Sequence, residues 1–333
     1  MTSPNIQIQL FQYLKNKLPA DTSLVDEMAT LLDISTDSAY RRIRGEKGLG
    51  IDELYKICVH YKLSLDSLLN LQTEGFLFTG NFVQAGNFRF EDYLTNAVQH
   101  VKYMNNFRER KMYYLCKDIP LFHHFHFREV AAFKYYFWMK NILHLPEFAH
   151  KKFTMDIYPD EFFQLGRQAL DYYNHLDSVE LWNIESVNST LRQVEFYHDS
   201  NIFANDEEIF MIYSALEKLV NHLEQLATEG FKFNADDPKR TPMSSFQMYF
   251  NEIIIMENQV LVQLDGAKTV FIIHNVLNFL QTRDVRFCDN SFTYIQNLIR
   301  KSTLISTVSE RERARFFKYL RSKIATRKQN LRV

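Results

Sequence analysis

Residues 35–47 of the chain read STDSAYRRIRGEK, a stretch that concentrates side chains suited to touching a polyanion. Arg41 and Arg44 carry a planar fork of donors that matches the O6 and N7 atoms of guanine, and Asp37 can accept from the amino group of cytosine. Ser35, Thr36 and Tyr40 add hydroxyls of the kind that reach phosphates and sugars. Arg42 and Lys47 are expected on phosphates, which position a protein without specifying a sequence. Ala39 and Ile43 are the apolar pair of the segment. Their spacing of four gives them one face of a helix, which turns Thr36, Asp37, Tyr40, Arg41 and Arg44 outward. The competing interpretation is a solvated charged face, since residues 1–70 hold slightly more acids than bases.

The elements that must position this face are marked on both sides. Val25, Met28, Ala29 and Leu32 follow i, i+3, i+4, i+7 spacing and give a helix with one apolar face. Ser23 is placed to cap it. Asp33 falls at a tight turn and tolerates the left-handed conformation better than most residues. Ser35 caps the next helix and Gly45 ends it. Ile51, Leu54, Cys58 and Tyr61 line a fourth helix, and Leu65, Leu68 and Leu69 a short fifth.

Read together, MATLLDISTDSAYRRIRGEKGLGIDELYKICVHYKLSLDSLL resembles the Cro- and lambda-repressor-like (XRE-type) helix-turn-helix regulators, over residues 8–70. Ala29 stands where that family keeps a small residue for close helix crossing, and Ile34 at its apolar turn position. Ser35 starts its recognition helix, Gly45 follows that helix, and KLSLDSLL matches its last helix. Asp33 departs from the usual turn glycine, and Arg42 stands where an apolar residue is common. The resemblance implies a five-helix domain whose third helix lies in the major groove. It also implies double-stranded DNA as partner and a dimeric transcriptional regulator.

The remaining 260 or so residues carry weaker signals. There are 29 Phe and 18 Tyr but only 9 Gly and 7 Pro, which favours long helices around bulky cores. Gly75, Gly80 and Gly86 mark residues 71–90 as a linker or loose hairpin. Residues 91–240 are expected to form an aromatic-rich helical domain. MYYLC and LFHHFHF are short candidate strands, and long helices are expected at 160–175, 178–197 and 206–229, the second capped by Asp177 or Ser178. Residues 241–333 are expected to form a small α+β region. A small antiparallel meander lies near 246–274, with Asp265-Gly266 as its hairpin turn, followed by helices near 275–281, 291–301 and 309–327. The fold class is thus mainly α.

Other chemistries are poorly supported. On a strand, His124 and His126 share a face, but surrounding phenylalanines favour a core over a metal site. With Phe133, Tyr136, Phe137 and Trp138 they are candidates to line a pocket for a small apolar effector. The C-terminal segment bears nine basic side chains, Arg311 to Arg332, against Glu310 and Glu312, and is a candidate for touching phosphates. No nucleotide-binding, metalloprotease or nucleophile-elbow motif occurs, so no cofactor and no enzymatic activity are expected. Cys58, Cys116 and Cys288 lack zinc spacing and suit a reducing compartment. The opening MTSPNIQIQL lacks the pattern of a secretory leader, and no apolar run reaches membrane-spanning length, so the expected location is the cytoplasm. Net charge is −1, which makes any nucleic-acid surface local. The alternative function is a helical scaffold whose N-terminal domain docks a protein.

Overall fold

The computed structural model describes residues 6–18, 22–63, 75–80, 88–253 and 257–331, and the chain splits into two compact units, residues 1–77 and 78–333. The first unit holds helices α1 (Ile6–Lys17), α2 (Leu24–Leu32), α3 (Thr36–Ile43) and α4 (Ile51–Tyr61). Each contributes one apolar stripe to a shared core of Leu10, Phe11, Leu14, Met28, Leu32, Ala39 and Ile57. The expected caps at Ser23 and Ser35 form, accepting from the amides of Asp26 and Ser38. Ile51 does not join the core. It is 86% exposed, and the buried face of α4 runs instead through Leu54 and Ile57. The expected fifth helix, with Leu65, Leu68 and Leu69, lies outside the described residues, as does most of the 71–90 linker.

The second unit is built on one eight-stranded mixed sheet rather than a small meander. Its strands are β1 (Thr79–Gly80), β2 (Arg110–Cys116), β3 (Asp177–Trp182), β4 (Phe246–Phe250), β5 (Gln259–Leu264), β6 (Ala267–Asn275), β7 (Asn278–Thr282) and β8 (Thr303–Leu304), in the order β1-β7-β6-β5-β2-β3-β4-β8. The expected Asp265-Gly266 turn joins β5 to β6, with both residues at positive φ. The first expected strand of the meander goes elsewhere: β4 pairs in parallel with β3, and β3 in parallel with β2. The regions 91–240 and 241–333, expected to be separate, therefore share a sheet.

Helices fill the two faces unequally. On one side pack α5 (Phe90–Met104), α6 (Arg128–Phe137), α7 (Asp160–Asn174), α8 (Glu185–Asp199), α9 (Asp206–Glu229) and α11 (Glu310–Asn330), forming the large core. On the other, α10 (Val285–Arg300) covers Tyr113, Leu115, Val179, Leu181 and Leu261. The period-two alternation of strand side chains sorts Met112, Tyr114 and Cys116 to the large core and their neighbours to α10.

Three expected elements change type, and one starts earlier. The LFHHFHF run is a 3-10 helix, Leu121–His126, because Pro120 starts a turn whose carbonyl accepts from His123. The helix expected at 178–197 opens as β3, and its helical part starts at Glu185. The helix expected near 275–281 is strand β7, paired with β6. The helix expected at 291–301 starts earlier, at Val285, as α10.

One close approach sets the layer spacing. Gly166 in α7 faces Phe125 of the 3-10 helix, and a Cβ there would be driven into that ring. Gly166→Ala is expected to destabilise the second unit by about 1–3 kcal/mol, as overpacking does. Urea unfolding of the full chain would measure it, and an unchanged midpoint would show that Phe125 moves aside freely.

Candidate nucleic-acid interface

The corner between α2 and α3 is fixed by backbone geometry. Asp33 adopts the left-handed conformation at φ 55°, and the amide of Ile34 reaches back to the carbonyl of Ala29 at 3.0 Å. The far end of α3 closes in the same way on Gly45, at φ 76°, with the amide of Glu46 on the carbonyl of Arg41 at 2.9 Å. This is a Schellman closure, in which glycine avoids the strain of a side chain in that conformation.

The outward set is as expected from the residue types. Thr36, Asp37, Tyr40, Arg41, Arg44 and Lys47 are exposed, as is the capping Ser35, while Ala39 is buried and Ile43 packs against the core. Arg44 lies over the Tyr40 ring at 4.8 Å, a cation–π contact that limits its rotamers. The loop carrying Lys47 is held by Gln7 of α1. The Gln7 amide donates to the carbonyls of Arg42 and Lys47 at 2.6 and 2.7 Å and accepts from the amide of Leu49 at 3.0 Å.

Arg42 corrects the expectation of a phosphate contact. It is 5% exposed, and its guanidinium clasps Glu53 of α4 through two bonds of 2.6 and 3.0 Å. A third bond of 3.1 Å runs to the carbonyl of Ser38. Glu53 Oε2, which accepts one of these bonds, also accepts from the amide of Gly50 at 3.0 Å and so caps α4. Bonding to Arg42 holds the Glu53 carboxyl below its ordinary pKa, against the opposing pull of burial. Sequence reasoning missed this pair. The available signal was a cation at an apolar position eleven residues before an acid in the first turn of the next helix.

The expected effector-pocket residues of the second unit are packed core. Phe133 and Tyr136 are fully buried against Phe153 and Tyr197, and Phe137 also meets Tyr197. Trp138 packs on Phe90, Tyr93 and His124. The ring nitrogens of His124 and His126 find no hydrogen-bond partner, nor does Nε2 of His222, whose ring sits 4.4 Å from that of His126. Beside them Glu180 of β3 accepts from His123 and Trp182 at 2.8 and 2.7 Å and from Tyr173. An open surface cleft of about 790 Å³ lies elsewhere, on α7, lined by Glu161, Gln164, Arg167 and Asp171 with Glu91 and Asn234. Among the described residues no group of three His, Cys, Asp or Glu side chains is placed to hold a metal ion, and no helix is long and apolar enough to cross a membrane.

The basic last helix is largely engaged at home. Arg313 donates to the carbonyls of Ile305 and Val308, Arg321 pairs with Glu224, Arg327 with Glu195 and Lys328 with Glu217. Its Phe316, Phe317, Leu320 and Ile324 are buried. Arg311, Arg315 and Lys318 remain on the surface. No protein-family model, no curated protein and no solved structure matches the chain.

Two measurements separate holding from contacting. Arg42→Ala is expected to cost about 2 kcal/mol, less than a fully buried pair because the Glu53 side chain stays 23% exposed. Arg41→Ala is expected to stay within about 0.5 kcal/mol of the parent. Equal unfolding midpoints for both variants would contradict the structural role of Arg42.

The unpartnered imidazoles give a pH dependence. Burial, followed by the neighbouring charges, holds His124 and His126 well below the ordinary value and His222 at about 3. Above about pH 6.5 these groups are neutral whether folded or not. Below it the unfolded chain takes up protons that the folded one refuses, so stability falls with pH. His222 alone accounts for about 2 kcal/mol lost by about pH 5. His222→Gln, which cannot take up a proton in this range, is expected to flatten this acid limb. Urea unfolding between about pH 7 and 5 reads it, and a limb as steep as the parent's would assign the loss to other groups.

Proposed function

We propose that the chain is a sequence-specific DNA-binding transcriptional regulator that lays α3 in the major groove and acts in the cytoplasm as a homodimer. The observation that carries this reading is the division of labour on α3. Thr36, Asp37, Tyr40, Arg41 and Arg44 face outward from a helix capped at both ends, while the cation that packs inward, Arg42, is neutralised inside the fold. A solvated face needs no such sorting. A two-helix corner with an exposed second helix is also the shape that enters a groove. Dimerisation would set two such helices against a two-fold symmetric site.

A second reading, docking of a protein, is favoured by Ile51, Tyr55 and Val59. They lie at i, i+4 and i+8 on α4 and are 86, 69 and 59% exposed. The two readings differ in their response to salt, because phosphate contacts release counterions and apolar contacts do not.

Selection of duplexes by the full chain from a random pool provides the test. A selected duplex is expected to lose affinity steeply as salt rises. Arg41→Ala and Arg44→Ala are each expected to weaken it by about 1–3 kcal/mol. A pool that yields no enriched sequence, or two folded variants that bind as the parent does, would overturn the DNA reading.

A further inference from the structure

The exposed Arg41 of α3 and Arg44 just past its end share one carboxylate. Glu46 Oε2 lies 3.9 Å from Arg41 Nε, and Glu46 Oε1 lies 3.7 Å from Arg44 Nη1. The backbone that carries this carboxylate is braced on both sides. The Schellman closure of α3 fixes the backbone of Glu46, with Gly45 bonded to the carbonyl of Arg42 and Glu46 to that of Arg41, both at 2.9 Å. Gln7 braces the loop on its other side through the carbonyl of Lys47. The carboxylate thus sits between the side chains that the DNA reading assigns to base edges.

We propose that Glu46 is an affinity-limiting residue of the DNA surface, an internal stand-in for phosphate that occupies Arg41 and Arg44 until DNA displaces it. The proposal rests on the DNA reading above. On a random duplex the arginines have only phosphates to gain, and a phosphate replaces a carboxylate like for like. On the preferred duplex each guanidinium gains a bidentate base contact, which outcompetes a half-exposed ion pair. Glu46 also removes a large share of the local field. With Arg42 spent on Glu53, the outward cations are Arg41, Arg44 and Lys47, opposed by Asp37 and Glu46. Loss of Glu46 frees two guanidiniums for phosphates on any sequence.

The experiment compares the full chain with Glu46→Gln and Glu46→Ala by fluorescence anisotropy, on a random-sequence duplex and on the duplex selected as above. Both variants are expected to bind the random duplex about tenfold more tightly at about 50 mM salt. The logarithmic salt dependence should steepen by about one to two, the number of phosphates newly engaged. Affinity for the selected duplex should rise by at least the same factor, because the ion pairs to Glu46 are broken in that complex too. No tightening on either duplex, or tightening on the random duplex alone, would overturn the role of Glu46 and leave the DNA reading standing. A parent chain that binds neither duplex would overturn both. Glu46 is half exposed, and a thermal melt equal to the parent's shows that the variants differ in binding and not in folding.

Discussion

A guanidinium cannot shed its charge at any accessible pH, so an arginine that folding carries inward must be met by an anion or the fold fails. Arg42 is that arginine, and Glu53 is the anion. The carboxylate holds Arg42 of α3 with one hand and the first turn of α4 with the other, through the amide of Gly50. The angle between these helices, the path of the loop that joins them and the outward face of α3 all follow from a single planar clasp. Gln7 then fixes the same loop from α1. The surface assigned to DNA is therefore rigid because its least surface-like residue is locked beneath it.

The second unit meets the same demand with opposite sign. Glu180 points from the central strand β3 into the large aromatic core, fully buried. Burial would raise its pKa, but the charge and hydrogen bond of His123, with bonds from Tyr173 and Trp182, bring it below the ordinary value. Lys232 answers nearby, its ammonium against the Tyr173 ring at 3.6 Å and on the Tyr173 carbonyl at 2.7 Å. Each unit thus contains a carboxylate whose partners converge from several elements.

Local chemistry was legible in the sequence where it was written locally. The caps at Ser23 and Ser35, the turns at Asp33 and Gly45 and the outward set on α3 depend on residues within a few positions of one another. Arg42 was misjudged because its partner comes from the next helix. Strand β3 was hidden for the same reason. DSVELW carries a glutamate and leads into a helical pattern, and only Tyr173, His123 and a distant lysine make that glutamate acceptable in a strand. The sheet was underestimated because its parallel strands are separated by helices and bear no turn signal, whereas the Asp265-Gly266 hairpin announces itself in two residues. Histidines 124 and 126 suggested a pocket because aromatic packing and ligand lining use the same side chains.

The pairing pattern of the sheet also bears on the order in which the chain acquires its structure. Strand β2, at 110–116, lies between β3, at 177–182, and β5, at 259–264. Its two neighbours are thus more than sixty and more than one hundred and forty residues away along the chain. Closing loops of that length comes before any reward from the contacts they bring, which makes such sheets slow to form. The helices of the first unit meet neighbours within a few tens of residues. On a ribosome, where chains emerge from the N-terminus, the first unit can complete its core while β2 still waits for both strands that will flank it. For that interval Tyr113, Tyr114 and Leu115 are an unpaired apolar edge, and the nascent chain, rather than the finished protein, carries the greatest risk of aggregation.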